Sequence, residues 1–268
     1  MRVRFWGVRG SVPWATSSSI GYGCNTPCVE IRNERTGAVL ILDAGSGIVG
    51  LGEALGSELR AIPILLTHYH WDHLQGLPFF LQFYQPGWTS TVWAPVLKHV
   101  DLAWLATLFQ QQFFPVPLES LPSRPAMALV PSRETLIGGF RILTQPLTHP
   151  GGALAYRIQG DTGDVVYATD HEFGDQAVDD GLAEFCKGAA AVILDAHYTP
   201  EELPSHRGQG HGSWKQCAEL AAASGARELW LFHHKPGRTD QDLATIQARA
   251  RQLFPATTAA SEGATFEV

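Results

Sequence analysis

The stretch AIPILLTHYHWDH, residues 61–73, joins an apolar run to a dense group of metal-capable side chains. Residues 61–66 have the length and uninterrupted apolarity of a strand covered on both faces, as in the parallel sheets of α/β proteins. His68, His70, Asp72 and His73 follow at once, ahead of a helical pattern over 73–85. They therefore fall on a loop at the C-terminal end of a strand, where α/β proteins commonly bind ligands. Imidazole and carboxylate at this density suit Zn²⁺ or a similar transition metal. Four donors this close are too many for one ion, so two ions are the natural reading.

Working outward, further strands are predicted at 2–6, 27–32, 38–43, 138–144, 154–159, 164–168, 190–195, 228–233 and 264–268. Helices are predicted at 47–57, 101–112, 213–224 and 240–253, with Ser213 and Thr239 as N-caps and Gly225 as a stop. Strands in two batches, each followed by helices, predict two face-to-face sheets with helices outside, an α/β arrangement in one domain spanning 1–268. Three strand ends offer more metal-capable groups: His149 after ILTQPLT, Asp170 after VVYAT and His233 after ELWLF. A lone strand-end Asp is usually a polar cap; after so specific a first motif, their joint occurrence points to a shared site. His233 and His234 are adjacent, and strand neighbours point to opposite sides, so spacing alone does not choose between them. His171 is read as a supporting or surface residue, and His197 and His206 as solvated loop histidines.

Composition narrows the function. With 45% hydrophobic residues in 268 the chain can bury a core without staples, and its net charge is −7. Nonspecific nucleic-acid binding relies on clustered Lys and Arg, and no cluster occurs, so long nucleic acids are not expected; Arg2, Arg4 and Arg9 remain available to meet a phosphate. No apolar run reaches a membrane span, the start lacks a signal-peptide core, and no membrane partner is expected. Cys24, Cys28, Cys186 and Cys217 read as reduced thiols of a cytoplasmic protein. Residues 77–136 are crowded with aromatics and prolines. They read either as core or as an apolar lid or cleft wall, with Trp88, Trp93, Trp104, Phe113 and Phe114 its candidate residues.

The order HxHxDH, strand-end His, strand-end Asp, strand-end His resembles the metallo-β-lactamase superfamily over nearly the whole chain, from ILDAGSG at 41–47 to LFHHKP at 231–236. The resemblance implies a four-layer αββα sandwich. It implies that His68, His70 and His149 hold one metal, that Asp72, His73 and His233 hold the other, and that Asp170 bridges them, with Asp43 in support and His233 preferred over His234. The metals would be two divalent ions, Zn²⁺ first and Mn²⁺ or Fe²⁺ as alternatives. They would lower the pKa of a shared water and clamp a phosphoryl oxygen.

The segment GHGSWKQCAELA at 210–221 is similar to the His-Ser-x-x-x-Ala motif of the phosphodiesterase branch, with Gly212 interposed. FWGVRGSVPW at 5–14 resembles bacterial cyclic-nucleotide-type phosphodiesterases of the superfamily. The implied activity is hydrolysis of a small phosphodiester or cyclic nucleotide, with His211 and Asp72 catalytic. His211 would donate a proton or stabilise phosphoryl charge. The rival readings are a hydrolase of thioesters, lactones or β-lactams on the same metals, a redox diiron protein, and a non-catalytic metal-binding or sensing module. A homodimer is the commonest prior for an oligomer.

Overall fold

The computed structural model describes residues 1–56, 59–97, 103–131 and 133–268. Two seven-stranded mixed sheets lie face to face. The first runs, edge to edge, β14 (Thr265–Glu267), β1 (Arg2–Gly7), β2 (Cys28–Arg32), β3 (Val39–Leu42), β4 (Ala61–Leu65), β5 (Thr89–Ala94) and β6 (Ala126–Leu129). Its pairs are antiparallel from β14 to β3 and parallel from β3 to β6. The second runs β13 (Thr257–Ala259), β12 (Glu228–Phe232), β11 (Ala191–Asp195), β10 (Val165–Ala168), β9 (Ala153–Gln159), β8 (Phe140–Leu147) and β7 (Glu134–Ile137). There the pairs are parallel from β13 to β10 and antiparallel beyond.

The two-residue period of each strand decides which layer a side chain joins. In β3, Leu40 and Leu42 enter the core between the sheets while Val39 and Ile41 face outward under helix α1 (Gly47–Ala54). In β11, Ala191 and Ile193 face the first sheet while Val192 and Leu194 pack under α3 (Gln176–Cys186), α4 (Trp214–Ser224) and α5 (Asp240–Arg251). The outcome is the expected αββα sandwich. Ser213 and Thr239 both close capping boxes, and Gly225 ends α4 in the left-handed conformation. No helix among the described residues is long and apolar enough to cross a membrane.

Several elements differ from expectation. Residues 73–85 form short 3₁₀ turns at Trp71–His73, Leu77–Phe79 and Leu81–Tyr84 in place of one helix. Gly76 packs so closely on the backbone that a Cβ there would lie 2.1 Å from the Gly45 carbonyl oxygen, and Pro78 removes a helical donor. The expected helix at 101–112 is the short α2 (Ala103–Thr107), with 101–102 outside the described residues. Helix α3 and strands β5, β6, β7 and β13 were not foreseen, because their sequences alternate weakly or carry polar residues at helical positions. Residues 77–121 supply Leu77, Phe80, Phe83, Trp88, Leu105, Phe109 and Leu121 to the outer core of the first sheet. Trp88 is therefore core; Trp93 packs against the core between the sheets and Phe114 against the outer one. The Trp104 side chain, and residues 98–102 and 132 of the same segment, lie outside the described residues.

The amino-terminal arginines are committed to structure. Arg9 is wholly buried and donates to the carbonyls of Gly23 (2.8 Å), Arg238 (2.9 Å) and Ser19 (2.9 Å). Arg2 pairs with Glu34, and Arg4 lies 4.1 Å over the Trp6 ring. Arg9→Met would strand three acceptors and is expected to cost about 3 kcal/mol or more, measured as a lower midpoint of urea unfolding.

Candidate metal centre

Every candidate donor lies at one end of the paired sheets, on turns that leave strand ends. Asp43, just after β3, is the anchor. Its carboxylate accepts from the Thr67 amide (2.8 Å), the Thr67 hydroxyl (3.0 Å), the Tyr167 hydroxyl (2.8 Å) and His73 Nδ1 (2.8 Å). Since His73 Nδ1 donates, its Nε2 is left facing the site. Thr67 spends its one hydroxyl proton on Asp43, so its oxygen must accept from His68 Nδ1 at 3.0 Å. His68 Nε2 is then an acceptor as well, and neither it nor His73 Nε2 has a hydrogen-bond partner although both are buried. His149 Nδ1 donates to the Gly210 carbonyl at 2.8 Å, which leaves Nε2 aimed at His70 Nδ1, 2.9 Å away. Burial, relieved in part by Asp170, pushes the His149 imidazole down to about 4, into its neutral metal-binding form.

The donor atoms of His68, His70 and His149 lie within 4.8 Å of one another, as do those of Asp72, His73 and His233. Asp170 sits between the sets: Oδ1 is 3.9 Å from His68 Nε2, 3.9 Å from His149 Nε2 and 3.5 Å from His233 Nε2, while Oδ2 is 3.3 Å from His73 Nε2. Burial opposes ionisation of Asp170, but His233, His73 and His68 outweigh it and hold the carboxyl below its usual range. Orphaned buried nitrogens converging with carboxylates are the donor chemistry of divalent metal sites. The residues present fit two ions.

Backbone strain accompanies this gathering. Asp43, Asp170 and His233 all take positive φ, at 59°, 61° and 58°. The turn at His233 sends its ring into the cluster, while His234 points away, with Nε2 bonded to the Ala260 carbonyl at 2.8 Å. The amino-terminal loop closes one wall. The Ser11 amide donates to Asp72 Oδ2 at 2.7 Å, and a Cβ at Gly10 would lie 2.5 Å from His233 Nδ1 and 2.9 Å from His197 Nδ1. Gly10→Ala must displace the His233 ring and is expected to weaken binding of one of two ions by about 10–100-fold, the range for disturbed ligand support; competition with a chelator reads this directly.

His211, ahead of α4, borders both sets. Its Nδ1 lies 2.7 Å from Asp195 Oδ2 and 3.6 Å from Asp170 Oδ1. Burial disfavours its charged form, yet the Asp195 carboxylate prevails and pushes it up to about 9. The sequence reading does not single out Asp195, and it places His197 in a solvated loop. His197 is buried, stacked 4.3 Å from His211, with Nδ1 bonded to the His233 carbonyl. It is not the solvated loop residue expected, because the turn after β11 folds back under α4; His206, four residues before Gly210, remains peripheral. The signal for Asp195 was present: AAVILD ends on an acid as VVYATD does. His171 is a support, accepting from the Thr148 amide at 3.2 Å and bonded to Asp179 at 3.0 Å, which fixes the turn carrying His149. All four cysteines are free.

Residues 39–234 match the family described as the Beta-lactamase superfamily domain. The chain belongs to this superfamily. Among superfamily relatives, a ribonuclease Z of Bradyrhizobium sp. is 27% identical, the match covering 84% of this chain and 89% of that protein. The metallo-β-lactamase fold protein YhfI of Bacillus subtilis superposes with a TM-score of 0.75 at 21% identity, covering 100% of this chain and 98% of that one. A diphosphatase of the PhnP family superposes with a TM-score of 0.72 at 19% identity, again over 100% and 98%. Both superpositions place the superfamily's metallo-β-lactamase fold across the described strands and helices.

Proposed function

We propose that the chain is a dinuclear phosphodiesterase acting on small phosphodiesters, with Zn²⁺ the first choice of metal. It is a metal-dependent hydrolase; the observation that favours phosphorus over carbonyl chemistry is His211, held by Asp195 beside Asp170. His68, His70 and His149 would hold one ion and Asp72, His73 and His233 the other, with Asp170 between the two sets. Two bound cations supply Lewis-acid charge for the phosphoryl oxygens and acidify a water. Asp43 fixes His73 directly and His68 through Thr67, so the donor nitrogens are oriented before any ion arrives. Asp195 accepts from His211 Nδ1 and leaves Nε2 to give a proton to the departing ester oxygen. Asp72, which accepts the Ser11 amide, ties the amino-terminal loop to the reacting centre.

The ribonuclease Z and diphosphatase names among the relatives support chemistry at phosphorus. The acidic net charge of −7 favours a small substrate over a long RNA. The test is turnover of bis(p-nitrophenyl) phosphate by Zn²⁺- or Mn²⁺-loaded protein, beside a p-nitrophenyl carboxylic ester, a chromogenic β-lactam and a tRNA precursor. Diester turnover that His68→Ala abolishes supports the reading. Cleavage of the ester or lactam alone would assign the centre to acyl chemistry, and trimming of the precursor alone would assign it to RNA.

A further inference from the structure

The metal cluster is buried except at His70, which is exposed. Its chain neighbours Tyr69 and Trp71, whose Cα atoms lie about 3.8 Å from that of His70, form one wall of a cavity of about 260 Å³ completed by Leu74, Thr107, Leu108 and Phe113. Trp71 is 58% exposed and Phe113 69% exposed, together with Phe79 at 58%. Large apolar side chains left facing solvent around a concavity mark a binding surface.

Both walls are held rigidly. The Tyr69 hydroxyl donates to the Pro95 carbonyl at 3.0 Å, and the amides of Leu74 and Gln75 return to the Trp71 carbonyl. Phe113 is carried by a turn whose next residue, Phe114, packs edge-on against Phe79 (5.3 Å) and Phe109 (6.2 Å). Phe109 in turn is buried in the outer core.

We infer that this cavity is a ring-stacking subsite, which takes the nucleobase or aryl group of a diester whose phosphate sits at the metals. Three aromatic faces and no charged lining residue suit a flat ring. The volume is below that of a pocket for a whole drug-sized ligand, so one ring system fills it while the phosphate stays at His70. With so few polar groups the subsite reads the face of the ring and not its hydrogen-bonding edge, as sequence-tolerant stacking sites do. This inference rests on the phosphodiesterase reading.

Two diesters with the same leaving group test it: thymidine 5′-(p-nitrophenyl) phosphate and methyl p-nitrophenyl phosphate. Wild type is expected to favour the thymidine ester in kcat/KM, and Phe113→Ala and Trp71→Leu to cut that preference about tenfold, within the range for loss of one base–aromatic stack. Phe113 is remote in sequence from the metal donors, and metal content per chain checks that Trp71→Leu keeps its ions. Separately, adenosine 5′-monophosphate is expected to quench tryptophan fluorescence in wild type, with about tenfold weaker binding in Phe113→Ala and little quenching in Trp71→Leu; inorganic phosphate should quench neither. Equal rates on both diesters with no quenching would overturn the subsite and leave the phosphodiesterase reading standing. Quenching that depends on Phe113 without cleavage of any diester would keep the subsite and overturn that reading.

Discussion

Asp170→Ala is expected to lower bound metal below two ions per chain and to remove about a thousand-fold of hydrolytic rate. Among the described residues, Asp170 is the one carboxylate within 4 Å of donor nitrogens from both sets, through His68, His149, His73 and His233. Lewis-acid stabilisation of a charged transition state is worth several kcal/mol, and about 1.4 kcal/mol is a decade of rate. The replacement also leaves His73 and His233, packed at 5.4 Å between centroids, with Asp72 alone of the two acids that face both. Metal analysis after gel filtration, with Asp170→Asn as the near-isosteric control, reads the effect. Two ions retained in the alanine variant, at wild-type rate, would remove Asp170 from the site.

The second large effect concerns His211 and should depend on the leaving group. His211→Ala is expected to keep both metals and lose about a hundred-fold or more on diesters with an alkoxide leaving group, within the usual contribution of general acid catalysis. On p-nitrophenyl diesters, whose leaving group departs without a proton, the loss should be far smaller. Asp195→Asn should show the same leaving-group dependence in weaker form, because Asp195 Oδ2 orients His211 at 2.7 Å; metal content per chain checks that His233, 3.8 Å from its other oxygen, keeps its ion. A uniform loss across leaving groups would instead make His211 a charge stabiliser of the phosphoryl oxygens.

The site was legible in the sequence to the extent that strand periodicity delivers residues to one end of a sheet. AIPILLT ending at His68, VVYAT at Asp170 and ELWLF at His233 each announce a buried strand and then a polar group, and folding brings those ends together. Asp195 obeys the same rule after AAVIL, but its neighbours AHYTPEE read as an ordinary loop. His197 was out of reach: its burial comes from packing against His211, more than a dozen residues onward, and from the close approach of Gly10. Contacts of that kind leave no local period. The aromatic tract shows the same limit in reverse. Trp88 and Phe113 look alike in sequence, yet one is core and the other stands in solvent, a difference set by where the chain turns at Pro86, Gly87 and Pro115.

The spread of the donors along the chain has a consequence for synthesis. One set, His68, His70 and His149, is complete early in sequence, but the carbonyl that orients His149 belongs to Gly210. The other set waits for His233. The first set is oriented only once Gly210 is in place and the second only once β12 is, so a shorter nascent or truncated chain would present its histidines without their orientation and compete poorly for ions. On the proposed assignment of donors, metal uptake would be a late event. Because ions that bind only the finished fold stabilise it in proportion to the logarithm of their free concentration, metal supply would then set how long a completed chain resists unfolding and proteolysis.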